Sequence, residues 1–170
     1  MEREIVEGIL FVEDLQEFLG EIRSLAASNE VIIQAMDASK LGGISHIDLA
    51  MRKAMRAFEE QQNVARDLGV EMMRYASGKR QIAEAFSLGL SEGENHVAFV
   101  VLGELEEAVL QASAMLRDFV EVSSVIEFKP EKKAVLMDHF GIHEAEIIAV
   151  GDGRLPDLVL ERVALVDLLK

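Results

Sequence analysis

The stretch Asn95–Gly103, "NHVAFVVLG", decides the fold. Val97, Phe99, Val100, Val101 and Leu102 follow one another with no polar residue among them. A strand half exposed to water would alternate, so this run reads as a buried strand. It comes after a long helical stretch, and a chain that returns to β structure after helices mixes the two classes in one core. On its N-terminal side, "REIVEGILF" at 3–11 reads as another strand, through Ile5, Val6, Ile9, Leu10 and Phe11. "VEDLQEFLGEIRSLAA" at 12–27 spaces Leu15, Phe18, Leu19, Ile22 and Leu25 as one face of a helix. "EVIIQAMDAS" at 30–39 is a second, β-branched strand, and "KLGG" at 40–43 a loop.

Between that loop and the buried strand lie three expected helices. Ser45, with Asp48 three residues on, has the pattern of a capping box. The helix that follows buries Ile47, Ala50, Met51, Ala54 and Phe58 and carries Arg52, Lys53 and Arg56 on its other side. Asn63 is a cap for the next helix, with the stripe Val64, Leu68, Met72, Tyr75 and Ala76. Ser77-Gly78 ends it, since glycine takes the left-handed C-cap conformation. A third helix carries Ile82, Ala85 and Phe86 and stops near Gly89.

Beyond the buried strand, "LEEAVLQASAMLRDFV" at 105–120 is helical, and "SSVIEF" at 123–128 is a short strand or a helix extension. "PEKKAVLMDHFG" and "HEAEIIAVG" are short helices, "GDG" at 151–153 a turn, and Pro156 suits the first turn of a last helix burying Leu158, Leu160 or Val159, Val163, Val166 and Leu169. The expected fold is α+β: a two-layer α/β sandwich with a small β-sheet and an inserted three-helix lobe at about 45–89, in a single domain over 1–170.

Composition bounds the function. The 170 residues hold no cysteine, which excludes disulfides and thiolate zinc sites. "MEREIVEGIL" lacks the basic region of a signal peptide, and no apolar run reaches membrane-spanning length. The expectation is a cytoplasmic protein with no membrane contact. Net charge is −14, but unevenly spread. From Asp37 to Gly89 eight Lys/Arg face seven Asp/Glu, a net of +1 that leaves −15 for the rest. An anionic partner would dock on the segment that is not acidic.

Within that segment "YASGKRQIAEA", Tyr75–Ala85, places Lys79 and Arg80 side by side at an expected helix start. Cations are unfavourable there unless an anion joins them, and the same start offers free N–H groups to a phosphate. Two readings stand: exposed cations with Arg80 paired to Glu84, or an anion site. His46 likewise reads as an ordinary surface histidine or as a ring that meets a base or phosphate. GxGxxG, P-loop, GxSxG and HExxH signatures are absent from the sequence. His139 and His143 have ligand spacing, but Gly141 separates them and no third ligand is obvious. No carboxylate pair stands out as acid and base. The chain is therefore read as non-catalytic, without metal or cofactor.

The run from Ile33 to Gly89 resembles a known family. His46 opening a helix, Ala50 and Ala54, Arg56-Ala57-Phe58, Asn63-Val64-Ala65, Glu71, Tyr75 and "SGKRQI" at 77–82 are similar to the kinase-binding subunit of the KEOPS complex, the TPRKB-like family, in its archaeal form. The resemblance covers about a third of the chain. It implies a non-catalytic subunit that binds and supports the complex's small atypical kinase/ATPase and meets other KEOPS subunits through it. It further implies a place in tRNA threonylcarbamoyladenosine synthesis and a grip on the 3′ CCA end of tRNA. On that basis the expected RNA contacts are His46, Lys53, Arg56, Lys79, Arg80 and Gln81, with Glu71 orienting Arg74 or Arg80. Ile82 and Phe86 are expected in the core. The last helix, apolar on more than one side, is the expected kinase contact through Leu158, Val159, Arg162, Leu165 and Leu169. A protein-interaction subunit without RNA contact, or a small enzyme with an unrecognised site, are the rival readings.

Overall fold

The computed structural model describes residues 1–169. Strands β1 (Glu2–Val12), β2 (Ile32–Asp37), β3 (Gly93–Gly103) and β4 (Glu121–Val122) form one antiparallel sheet in the order β2-β3-β1-β4. The sequence left this order open. "NHVAFVVLG" is the strand paired on both sides: Val101 faces Glu4 of β1 and Ile33 of β2. That central place explains its unbroken apolar run, buried from Val97 to Leu102. The short strand lies at Glu121–Val122, just before "SSVIEF" and not within it. There the backbone of β4 crosses so close to Gly8 that an added Cβ would meet the Glu121 carbonyl oxygen.

The chain divides into two compact units, each built from separated segments. The first, Met1–Ala38 with Gly89–Val125, holds the sheet, α1 (Leu15–Ser28) and α5 (Glu106–Arg117). Asp14 caps α1 by accepting from the Glu17 amide. Val6, Leu10, Val97, Phe99 and Val101 point to one face, where Ile22 and Leu25 of α1 meet Val109, Ala112 and Leu116 of α5. This is the two-layer α+β packing that the periodicities predict.

The second unit, Ser39–Leu88 with Ile126–Lys170, is helical: α2 (Ile44–Glu59), α3 (Leu68–Ser77), α4 (Ile82–Ala85), α6 (Lys133–Phe140), α7 (Glu144–Val150) and α8 (Leu155–Ala164). The helices expected between β2 and β3 thus pack with the C-terminal part of the chain. Leu136, Phe140, Ile147, Leu155, Leu158 and Val159 form their own core. The buried Lys132 ammonium donates to the carbonyls of Leu41 and Ile126, both at 2.8 Å.

Several local expectations are corrected. Helix α2 starts at Ile44 behind Gly43, with no side-chain cap, so the Ser45–Asp48 box does not form. Asp67 caps α3 by accepting from Val70, and Asn63 instead donates to the Ala65 carbonyl. Val64 lies outside the helix and is exposed. Phe86 is exposed too, because α4 closes after one turn into a 3-10 segment, Phe86–Leu88, that buries Leu88 in its place. Gly78 does take the left-handed conformation, at φ 71°, against the Phe140 ring. Among the described residues no helix is long and apolar enough to cross a membrane.

Charge divides between the units. The first holds three Lys/Arg against sixteen Asp/Glu, a net of −13. The second holds fourteen against fifteen, a net of −1.

Candidate functional site

Within the second unit a groove of about 740 Å³ opens between α2, the end of α3 and the segment after α8. Arg52, Lys53, Arg56, Arg74 and Arg80 line it, opposed by Glu60 and Asp167. Five cations against two acids make it a strongly cationic concavity in an acidic chain.

Helix α2 supplies the first wall. Its buried stripe is Ile47, Ala50, Ala54 and Ala57, three of them alanines, which lets α3 pack close. The stripe turns Arg52, Lys53 and Arg56 outward. Arg56 pairs with Glu60 one turn on, at 2.8 Å, but both side chains are well exposed, so the pair is weak. Arg52 and Arg80 form no ion pair among the described residues.

The opposite wall rests on a buried pair. Glu71 and Arg74, both on α3 and almost fully buried, meet at 2.7 Å. Glu71 also accepts from the Val64 and Ala65 amides, at 3.2 and 2.7 Å. Arg74 donates onward to the Arg80 carbonyl at 3.1 Å and lies 4.5 Å over the Tyr75 ring. Burial pulls the Arg74 guanidinium down, but hydrogen bonding and attraction to Glu71 more than offset it and hold its pKa above the ordinary value. The pair therefore fixes the 64–65 loop and the backbone that presents Arg80.

The floor joins Tyr75 to the segment after α8. The Tyr75 hydroxyl donates to Asp167 at 2.6 Å, and the Lys53 ammonium meets the other Asp167 oxygen at 2.9 Å. Burial, then the Asp167 carboxylate, push the Tyr75 hydroxyl up to about 12. Burial raises Asp167 as well, but the hydroxyl and the ammonium outweigh it and hold the carboxyl below its usual range.

The groove gathers Lys53, Arg56 and Arg80 of the expected RNA contacts and leaves out three. His46 is the clearest correction. It is 1% exposed. Its Nδ1 accepts from the Gly42 amide at 3.0 Å, and its Nε2 lies 2.7 Å from the Ala76 carbonyl, to which the neutral ring donates. Both nitrogens serve the fold, so no base or phosphate reaches the ring. Lys79 points its ammonium toward the His139 carbonyl, at 3.5 Å, and Gln81 is exposed outside the groove. The expected helix start is also displaced, since α4 begins only at Ile82 and is a single turn. Arg80 and Glu84 form no ion pair among the described residues. What recruits Arg80 is the side of the groove it occupies. Glu71 orients Arg74 directly and Arg80 through it.

The expected kinase contacts divide in the same way. Leu158 and Val159 are buried in the unit's core, because α8 turns that face inward. Arg162 spans the Gly141 carbonyl and the Glu146 carboxylate. Leu165 and Leu169 are exposed, together with Leu168. His139 and His143 lie on either side of the left-handed Gly141, His139 bonded to the Ser77 carbonyl and His143 at the cap of α7.

Burial also sets a pH dependence. It pushes the His46 imidazole down from 6.5 to about 4, aided by the nearby His139 and Lys132 and opposed by the Ala76 carbonyl. A proton on Nδ1 would face the Gly42 amide. The unfolded chain therefore binds the proton between pH 6.5 and 4 and the folded one does not. Stability from this group is full above pH 6.5 and falls as pH drops, by about 3 kcal/mol in all. Urea unfolding at pH 7.5 and pH 5 is expected to show the fall, and His46→Asn to flatten it; an equal slope in the variant would assign it to other groups.

The family model described as kinase binding protein CGI-121 matches residues 12–167. No curated protein gives a significant match.

Proposed function

We propose, because this chain belongs to the CGI-121 family of kinase-binding proteins, that it is a non-catalytic subunit of a KEOPS-type assembly whose groove holds the single-stranded 3′ end of tRNA. The groove carries this reading. Arg52, Arg56 and Arg80 present guanidiniums to one concavity, two of them without an ion-pair partner among the described residues. Guanidinium forks match phosphate oxygens, and a cationic groove that tracks a backbone is how single strands are held. A volume of 740 Å³ suits a chain end, whereas duplex RNA is met across a wide surface. The strongly acidic first unit repels polyanions, which leaves the groove as their place of approach. The kinase side of the reading rests on Leu165, Leu168 and Leu169, an apolar exposed cluster at the end of the chain. The threonylcarbamoyl transfer itself would belong to another subunit.

A gel shift with intact tRNA and with tRNA lacking its CCA end tests the RNA assignment. Binding is expected for the intact molecule, with strong weakening on trimming and steep loss with salt. Equal binding of the two, or none, would leave the protein-interaction subunit without RNA contact as the correct reading.

A further inference from the structure

The segment after α8 puts an acid into the middle of a cationic groove. Helix α8 ends at Ala164, and a 3-10 turn, Val166–Leu168, brings Asp167 over α2 and α3. One carboxylate oxygen takes the Tyr75 hydroxyl and the other the Lys53 ammonium. Arg56 and Arg74 also act on it electrostatically. Two oxygens of one anion, held by a hydroxyl and by cations, copy what a phosphate would receive there. Yet the carboxylate is half exposed and its lysine partly so. Ion pairs of that exposure are weak and exchange readily with solvent ions.

We infer that the Val166–Leu168 turn is a built-in latch on the groove: Asp167 occupies the phosphate position, and an anionic ligand must displace it to bind. The inference rests on the groove being a phosphate-binding site. It adds that the free groove is self-inhibited, with Lys53 and Tyr75 released together when ligand enters. The energy of one exposed pair makes the inhibition modest, so the latch sets selectivity for ligands that bring several phosphates and does not close the site.

The chain offers its own reporter. Tyr75 is the single tyrosine and tryptophan is absent, so intrinsic emission reads this hydroxyl alone. Phenol emission is quenched by a hydrogen bond to carboxylate. The experiment titrates the full-length protein with a labelled single-stranded oligoribonucleotide ending in CCA, at low salt. Wild-type Tyr75 emission is expected to rise as the probe saturates. Asp167→Asn is expected to start bright, to show no rise, and to bind about two- to five-fold tighter. Asp157→Asn removes an equal charge from α8 outside the groove and is expected to leave affinity within about 1.5-fold. Emission unchanged at saturation, or Asp167→Asn matching Asp157→Asn, would overturn the latch while the groove still binds. No binding by wild type or Asp167→Asn would overturn both the latch and the groove reading. The wild-type emission needs no variant, so it decides the matter even if Asp167→Asn folds poorly.

Discussion

Glu71→Ala is expected to lower the unfolding free energy by about 3–5 kcal/mol. The cost comes from what it strands. Arg74 is 2% exposed, and its charge would lose the carboxylate that compensates its burial. The Val64 and Ala65 amides would lose their acceptor as well. Glu60→Ala removes an ion pair of similar length, 2.8 Å, from Arg56. That pair is well exposed, so the expected change is under about 1 kcal/mol. Urea denaturation of the two variants side by side measures the contrast, and comparable losses would mean that Arg74 finds water or another acceptor. Arg74→Met added to Glu71→Leu removes the buried charge altogether and is expected to recover part of the loss. It would not recover the hold on the Arg80 carbonyl. RNA affinity should then fall in a protein that still folds, which separates support of the groove from support of the fold.

The double change Arg56→Glu and Arg80→Glu is expected to weaken tRNA binding on the order of 100-fold at low salt and to reduce the salt slope by about 1.4, the effect of two lost phosphate contacts on a single strand. Both side chains are exposed, so the melting curve should stay close to wild type. Kinase association should persist, because the exposed leucines at the end of the chain are untouched. Lys79→Glu is the informative comparison. Its ammonium faces the His139 carbonyl, outside the groove-lining residues. The expected loss is within about three-fold. A loss for Lys79→Glu as large as for the double variant would shift the RNA path away from the groove, toward the "SGKRQI" turn as a whole. Gel shifts over a salt series read all three proteins.

Elements were legible where one local pattern settles them. "NHVAFVVLG" announces a buried strand, the Leu15–Leu25 spacing a helix, and Gly78 a C-cap, because each depends on neighbours a few positions away, whereas the strand's central place came only from the pairing. The site was legible by residue type and not by partner. Arg56 and Arg80 stood out as cations in the non-acidic segment. Tyr75 and Asp167 did not, because they are 92 positions apart and the last helix read as continuous to its end. His46 was misread for a related reason. It shares a helical face with Leu49, Lys53 and Arg56, but at the first turn that face is covered by Gly42 and Ala76.

By itself, the sequence determined an α+β chain, a segment of near-neutral charge in an acidic protein, and membership of a kinase-binding family. Period, capping and composition are properties of short windows, and the chain carries them folded or not. Only the tertiary structure decided which cations share a groove, that His46 is spent on two backbone groups, and that Asp167 lies on Lys53 and Tyr75. Those are matters of what lies across a few ångströms of space. Packing sets that distance by bringing α2, α3 and the end of the chain together, and no window of sequence contains it.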